Sequence, residues 1–237
     1  MTAVVISQPM LFPWVGLLEQ VRLAGVYVHY DDVQFSKGGF TNRVQVKTAA
    51  GSRWLTIPLR GLRLGQPIRE VAADPTTDWR HAHLGLLAHA YAASPFLDDM
   101  LALVRRVYAP PTESVCDIAV RGLHALCDYF ALGSPDKFQS SSALAVTGAS
   151  SERVLDVVKA VGGDTYITGH GAKQYLDHEL FERAGVRVEY LDYQKASYPQ
   201  LHGEFTPFVS ALDLVANVGP AGREVIRSGT KYWREFV

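Results

Sequence analysis

The sequence predicts an α/β fold: a doubly wound, mainly parallel five-stranded Rossmann-like sheet with an inserted β-hairpin and helical subdomain. Three observations carry this reading. Short strand-like stretches near 3–7, 26–30, 137–140, 165–168 and 187–190 alternate with stretches of helical period. The opening residues read strand, turn, helix, strand, a βαβ unit whose strands pair in parallel through a right-handed crossover. Between the second and third runs the pattern changes character over 40–132, which reads as an insertion in a single α/β domain spanning 1–237.

In order, AVVIS (3–7) is a fully apolar strand that stops at Gln8-Pro9. From Trp14 to Ala24 the apolar positions 14, 15, 17, 18, 21, 23 and 24 face away from Glu19, Gln20 and Arg22, which predicts a helix stopped by Gly25. VYVHY is the second strand. FTNRVQVK and RWLTIPL alternate with period two around Ala50-Gly51, as a hairpin does. Helical patterns near 79–92, 96–107 and 112–132 are separated by Ser94-Pro95 and Pro110-Pro111. KFQSSS, a helix near 150–160, DTYITG, a helical stretch to about Ala184 and VRVEYLDY complete the parallel part.

Composition narrows the function classes. The chain has 237 residues, 48% of them hydrophobic, enough for a full core. A net charge of −1 with dispersed Lys and Arg leaves no electrostatic footprint for nucleic acid or an anionic membrane. Cys116 and Cys127 share one predicted helix, about 16 Å apart along its axis, too far to bridge. Without a CxxC or CxxxH cluster no zinc site is expected, and neither a signal peptide nor a membrane span is read; the expected location is the cytoplasm.

In doubly wound sheets ligands bind beyond the carboxyl ends of the strands, where the strand order reverses. The residues there are Gln8 and Pro9, Asp31 and Asp32, Ser140 to Ser142, Gly169 to Lys173, and Asp192 to Tyr198. Asp32 and His170 are the candidate catalytic groups, as carboxylate or imidazole base. Two adjacent carboxylates face opposite ways, so one of Asp31 and Asp32 enters the site unless both serve as turn caps. Lys37, Asn42, Arg43 and Lys47 form a cationic wall for an anionic substrate, with an Arg43–Asp ion pair pinning the hairpin as the alternative. Gly169 and Gly171, flanking His170 and followed by Lys173, let backbone N–H groups approach an anion, or simply make a turn. Trp14, held between Pro13 and the helix, either meets the ligand or packs. Tyr198 and Gln200, with Tyr193 and Phe205, offer flat faces that close over a ligand. Ser141 has no GxSxG elbow around it, and no hydrolase triad is marked. His81, His83 and His89 do not share a face suited to a metal. Gln34 and Tyr175 join the substrate-binding candidates.

ISQPMLFPWVGLLEQ, YDDVQFSKGGFTNR, RWLTIPL, ITGHGAKQYLD, Tyr198-Pro199-Gln200, Phe205 and SALDLVANVG, in this order over roughly residues 4–219, resemble the WbqC-like protein family. The resemblance implies a place among genes for surface-polysaccharide or specialised-metabolite assembly, and no particular reaction. The opening βαβ also resembles the nucleotidylyltransferase and class I synthetase layout, with Gly16 where a glycine opens a phosphate-cradling helix. Gln8, Phe12 and Trp14 stand where those enzymes use histidines, which puts adenylyl transfer in doubt.

Two functions remain. One is an acyl- or aminoacyl-type transferase acting on a small anionic or carrier-linked substrate in surface-polysaccharide (O-antigen) or natural-product assembly. The other is a noncatalytic binding or scaffold protein of the same pathway, with a pathway enzyme or carrier protein as partner. No cofactor is named by the sequence. In either case Gln8 and Asp32 are expected within about 10 Å of each other across one cleft, because adjacent parallel strands lie about 4.8 Å apart.

Overall fold

The computed structural model describes residues 1–236. β1 (Ala3–Ser7), α1 (Val15–Leu23) and β2 (Val26–His29) form the opening unit, with β1 and β2 parallel from Val4↔Val26 to Ser7↔His29. β3 (Arg43–Thr48) pairs antiparallel with β4 (Gly51–Thr56), and β5 (Leu59–Arg60) with β6 (Ala72–Ala73). Then come α2 (Trp79–Ala90), α3 (Leu97–Tyr108), α4 (Val115–Phe130), β7 (Phe138–Ser140), α5 (Ser150–Ala160), β8 (Thr165–Thr168), α6 (His178–Arg183), β9 (Arg187–Asp192), α7 (Leu212–Val218), β10 (Gly229–Tyr232) and α8 (Trp233–Phe236).

The central sheet has six strands, in the order β10-β9-β8-β1-β2-β7. The five expected strands pair in parallel; the sixth, β10, runs antiparallel to β9 at the edge and departs from the five-stranded expectation. Gly229, Thr230 and Tyr232 are only partly buried and Lys231 is exposed, so the strand carries no apolar signature; it exists through its ladder to β9. Successive parallel strands run outward from β1 through β2 to β7, then return to β8 on the other side of β1. The order therefore reverses between β1 and β8.

Alternation within β1 explains why helices cover both faces. Val5 joins a core with Tyr27, Ile167 and the apolar sides of α1, α3, α4 and α7. Val4 and Ile6 point the other way, into a core with Val28, Val188, and Val157 and Val158 of α5. Local chemistry sets the helix ends: the Asp78 side chain caps α2 at the His81 N–H, and Ser114 caps α4 at the Asp117 N–H. Asp98 and Asp99 open α3 and Arg105 and Arg106 close it, complementing its dipole. On α1 one expectation fails. Glu19 and Gln20, assigned to a polar face, are buried, because Glu19 accepts from the Ser228 N–H (2.8 Å) and from Arg22.

The β1–α1 turn is tightly held. Leu11 N–H donates to Phe40 O (3.0 Å), Ser210 Oγ to Phe12 O (2.7 Å) and Ala211 N–H to Pro13 O (2.8 Å). Phe12, just before Pro13, sits at φ 39, in the left-handed region, with its ring buried edge-on to Tyr108.

Candidate functional site

A cleft of about 620 Å³ opens where the strand order reverses, at the carboxyl ends of β1 and β8. β1 and its exit contribute Ile6, Ser7 and Gln8, and β8 and the turn after it contribute Thr168, Gly169, His170 and Gly171. Tyr30 enters from the end of β2, and Tyr193 and Lys195 from the segment after β9. Trp14 forms part of the wall, edge-on to Tyr193 at 4.9 Å and 6.0 Å from Phe208. Lys195 and His170 are the basic side chains of the lining, and among the described residues no carboxylate lines it.

His170 is oriented by its own backbone neighbourhood. Its Nε2 lies 2.8 Å from Leu191 O, a carbonyl that only accepts, so Nε2 carries a proton and the neutral ring keeps its lone pair on Nδ1. The ring leans on Phe236 at 4.7 Å. Beside that base and the Lys195 cation the cleft is lined by the amides of Gln20 and of Gln8, whose side chain has no hydrogen-bond partner among the described residues.

Of the other expected site residues, Tyr175 also lines the cleft. Asp32 does not. Its carboxylate pairs with Arg153 at 2.6 Å and accepts from Ser141 Oγ at 2.6 Å, while Asp31, buried, accepts from Ser141 Oγ, Ser142 N–H and Ser142 Oγ. Burial alone would raise the Asp32 carboxyl, but Ser141 and Arg153 outweigh it and hold the group below its ordinary value. Asp32 and Asp31 thus lie outside the cleft lining, with Ser141 as a strut between them; Tyr30 reaches the cleft from this strand end. Gly16 is buried beneath the Trp14 indole, and a Cβ there would come within 2.2 Å of the ring.

The expected cationic wall is dispersed. Lys47 is buried and its ammonium donates to Gln200 Oε1 (3.2 Å), Gly203 O and Glu204 O, so it locks the 198–206 loop. Gln200 Nε2 in turn donates to the Tyr198 hydroxyl and to Thr206 O, which places Gln200 and Tyr198 in that lock and outside the cleft lining. Asn42 is buried and donates to Ile57 O. Arg43 donates to the Gly38 and Gly39 carbonyls and lies 4.2 Å over Trp54; its partner is neither Asp31 nor Asp32. Lys37 is exposed on the loop before β3. Gln34 bridges to Pro67, and the Lys173 ammonium stands over the Phe236 ring. The cation that does face the cleft, Lys195, follows β9, so the rule that finds Gln8 finds its neighbourhood as well. Phe208 carries no such signal, because it comes from a loop far along the chain.

A mainly parallel α/β protein with an open cleft at its strand-order reversal is the class that fold and site define. The chain belongs to the WbqC-like protein family, whose model matches residues 8–225. It is 30% identical over 230 residues to the uncharacterized protein Rv1507c of Mycobacterium tuberculosis, covering 96% of this chain and 98% of that one. No solved structure matches it. Among the described residues no helix is long and apolar enough to cross a membrane.

Proposed function

We propose that the protein is a biosynthetic group-transfer enzyme that holds a small or carrier-linked anionic substrate in this cleft. Acyl- or aminoacyl-type transfer in surface-polysaccharide or natural-product assembly is the reaction class. The observation that carries the reading is the cleft lining at the strand-order reversal, with Lys195 and His170 facing it and, among the described residues, no carboxylate to repel an anion. In this mechanism Lys195 and Gln8 orient the anionic group, and Nδ1 of His170 takes the proton from an attacking amine or hydroxyl. The bond from the nucleophile to the acyl carbon forms as the acyl–carrier bond breaks, and the His170 imidazolium, steadied through Nε2–H by the Leu191 carbonyl, returns its proton to the departing carrier.

The withdrawal of Asp32 into an ion pair favours a second reading, a noncatalytic ligand-binding protein that hands its ligand to a pathway enzyme or carrier protein. Native mass spectrometry of freshly purified protein, incubated with metabolites of its gene neighbourhood, separates the two. A retained ligand that is converted, with conversion but not binding lost in His170→Ala, supports the enzyme. A ligand bound and released unchanged by both proteins supports the carrier, and a ligand bound equally well by Gln8→Ala and Lys195→Gln removes the cleft from either account.

A further inference from the structure

A second cavity of about 230 Å³ adjoins the cleft, lined by Met10, Leu11, Pro13, Trp14, Phe40, Val44 and Phe208. Every one of those side chains is apolar. Met10, Trp14 and Phe208 line both cavities, so the two meet at a shared partition. The Lys195 ammonium stands 5.2 Å from the Phe208 ring, which puts a cation on the cleft side of that partition. Beyond the chamber the apolar track continues outward, since Phe40 (47% exposed) lies 5.9 Å from the ring of Trp54 (40% exposed). With Phe208 and Tyr175, these account for four of the six large hydrophobic side chains that stand exposed among the described residues; Phe40, Phe208 and Tyr175 line the cleft or the chamber, and Trp54 stands beside Phe40. Exposed aromatic groups gathered at a cavity mark a surface that an apolar group covers.

We infer that the site takes a substrate with an unbranched acyl chain: its carboxyl-derived head lies in the cleft by Lys195, and its chain runs past Phe208 and Met10 into the chamber toward Phe40 and Trp54. A compact ring would fill the chamber and stop at Phe40, leaving Trp54 bare, whereas a chain follows the track along its length. The inference rests on the reading of the cleft as a ligand site and names the substrate class for it.

Isothermal titration of the full chain with straight-chain carboxylates from butanoate to decanoate, and with the matching alkan-1-ols, tests it. Affinity is expected to climb about fourfold per added methylene until the chamber is filled, then to level. Carboxylates should bind more tightly than alcohols of equal length, and Lys195→Gln should erase that advantage. Met10→Trp, which narrows the passage, should flatten the climb, and Phe40→Ala, at the exposed rim, should weaken only the longest chains. Short carboxylates that bind without any gain from chain length overturn the acyl chain while leaving the cleft reading intact. A climb with no carboxylate advantage overturns the head's position and the cleft reading with it, and failure of every probe to bind overturns the inference as a whole.

Discussion

Phe12 spends backbone energy to make a turn that faces two ways. Its left-handed conformation costs about 1 kcal/mol or more, yet it sends the ring into the core and brings Trp14 to the cleft wall two residues later. Phe12→Ala should cost about 3 to 5 kcal/mol in urea unfolding. Phe12→Gly should prove more stable than Phe12→Ala by up to about 1 kcal/mol, reversing the usual order of the two residues, because glycine adopts the positive φ freely. Gly16→Ala acts at the same place by another route: the new methyl group must push the Trp14 indole aside. The expected outcome is a shift in tryptophan fluorescence and weaker ligand binding with little loss of stability, since an indole at the cleft edge has room to swing. Asp32→Asn gives the opposite balance. It leaves the Arg153 guanidinium, whose side chain is 10% exposed, without its carboxylate, so thermal stability falls by about 3 kcal/mol while any bound ligand is retained.

At the scale of elements, boundaries set by local chemistry were legible. Prolines at 95, 110 and 111 and the Asp78 and Ser114 caps delimit α2, α3 and α4 within a few residues of the reading from sequence. β1, β2 and β8 were legible because they are buried and largely apolar, and β7 and β9 through their place between helical stretches. β10 was not, because an edge strand of Gly, Thr, Lys and Tyr owes its form to a neighbour rather than to its own pattern. The same reason explains the site. Gln8, His170 and Tyr175 follow strands that could be read, whereas the partners of Asp32 and Lys47 lie more than a hundred residues away in sequence, and no spacing rule joins Lys47 to Gln200 or Asp32 to Arg153. The Lys47 lock has its own measurable effect. Lys47→Met removes the donor that gathers Gln200 Oε1 and the Gly203 and Glu204 carbonyls. Amide hydrogen exchange across 198–206 should then quicken by an order of magnitude or more, while that of β1 and β8 stays unchanged.

For the whole molecule, buried histidines set the acid limit. Burial, with the neighbouring His124 adding to it, lowers His29 to about 4, and burial lowers His83 to about 4. His29 and His124 face each other through Nε2 atoms 3.1 Å apart, so at least one ring must stay unprotonated there. Because unfolding frees His29 and His83 to titrate near 6.5, the unfolded chain binds more protons between about pH 6.5 and 4, and stability rises with pH across that window. The loss on acidification is about 3 kcal/mol per ring once pH falls below 4. Melting temperature measured from pH 7.5 to 4 should therefore fall steadily, starting near 6.5; a midpoint that holds level to pH 4.5 would contradict it.

The antiparallel edge strand has a consequence for solubility. β9 is a long strand, and without β10 its outward backbone N–H and C=O groups would stand open along Glu189 to Asp192. At the opposite margin β7 is three residues long, too short to template another chain. β10 thus acts as a stopper, and its Lys231 pairs with Asp192 at 3.1 Å, adding charge where a foreign strand would dock. A chain cut after Ser228 should keep its parallel sheet yet scatter light at concentrations where the intact protein stays clear, because one sheet would recruit the next through the uncovered rim of β9.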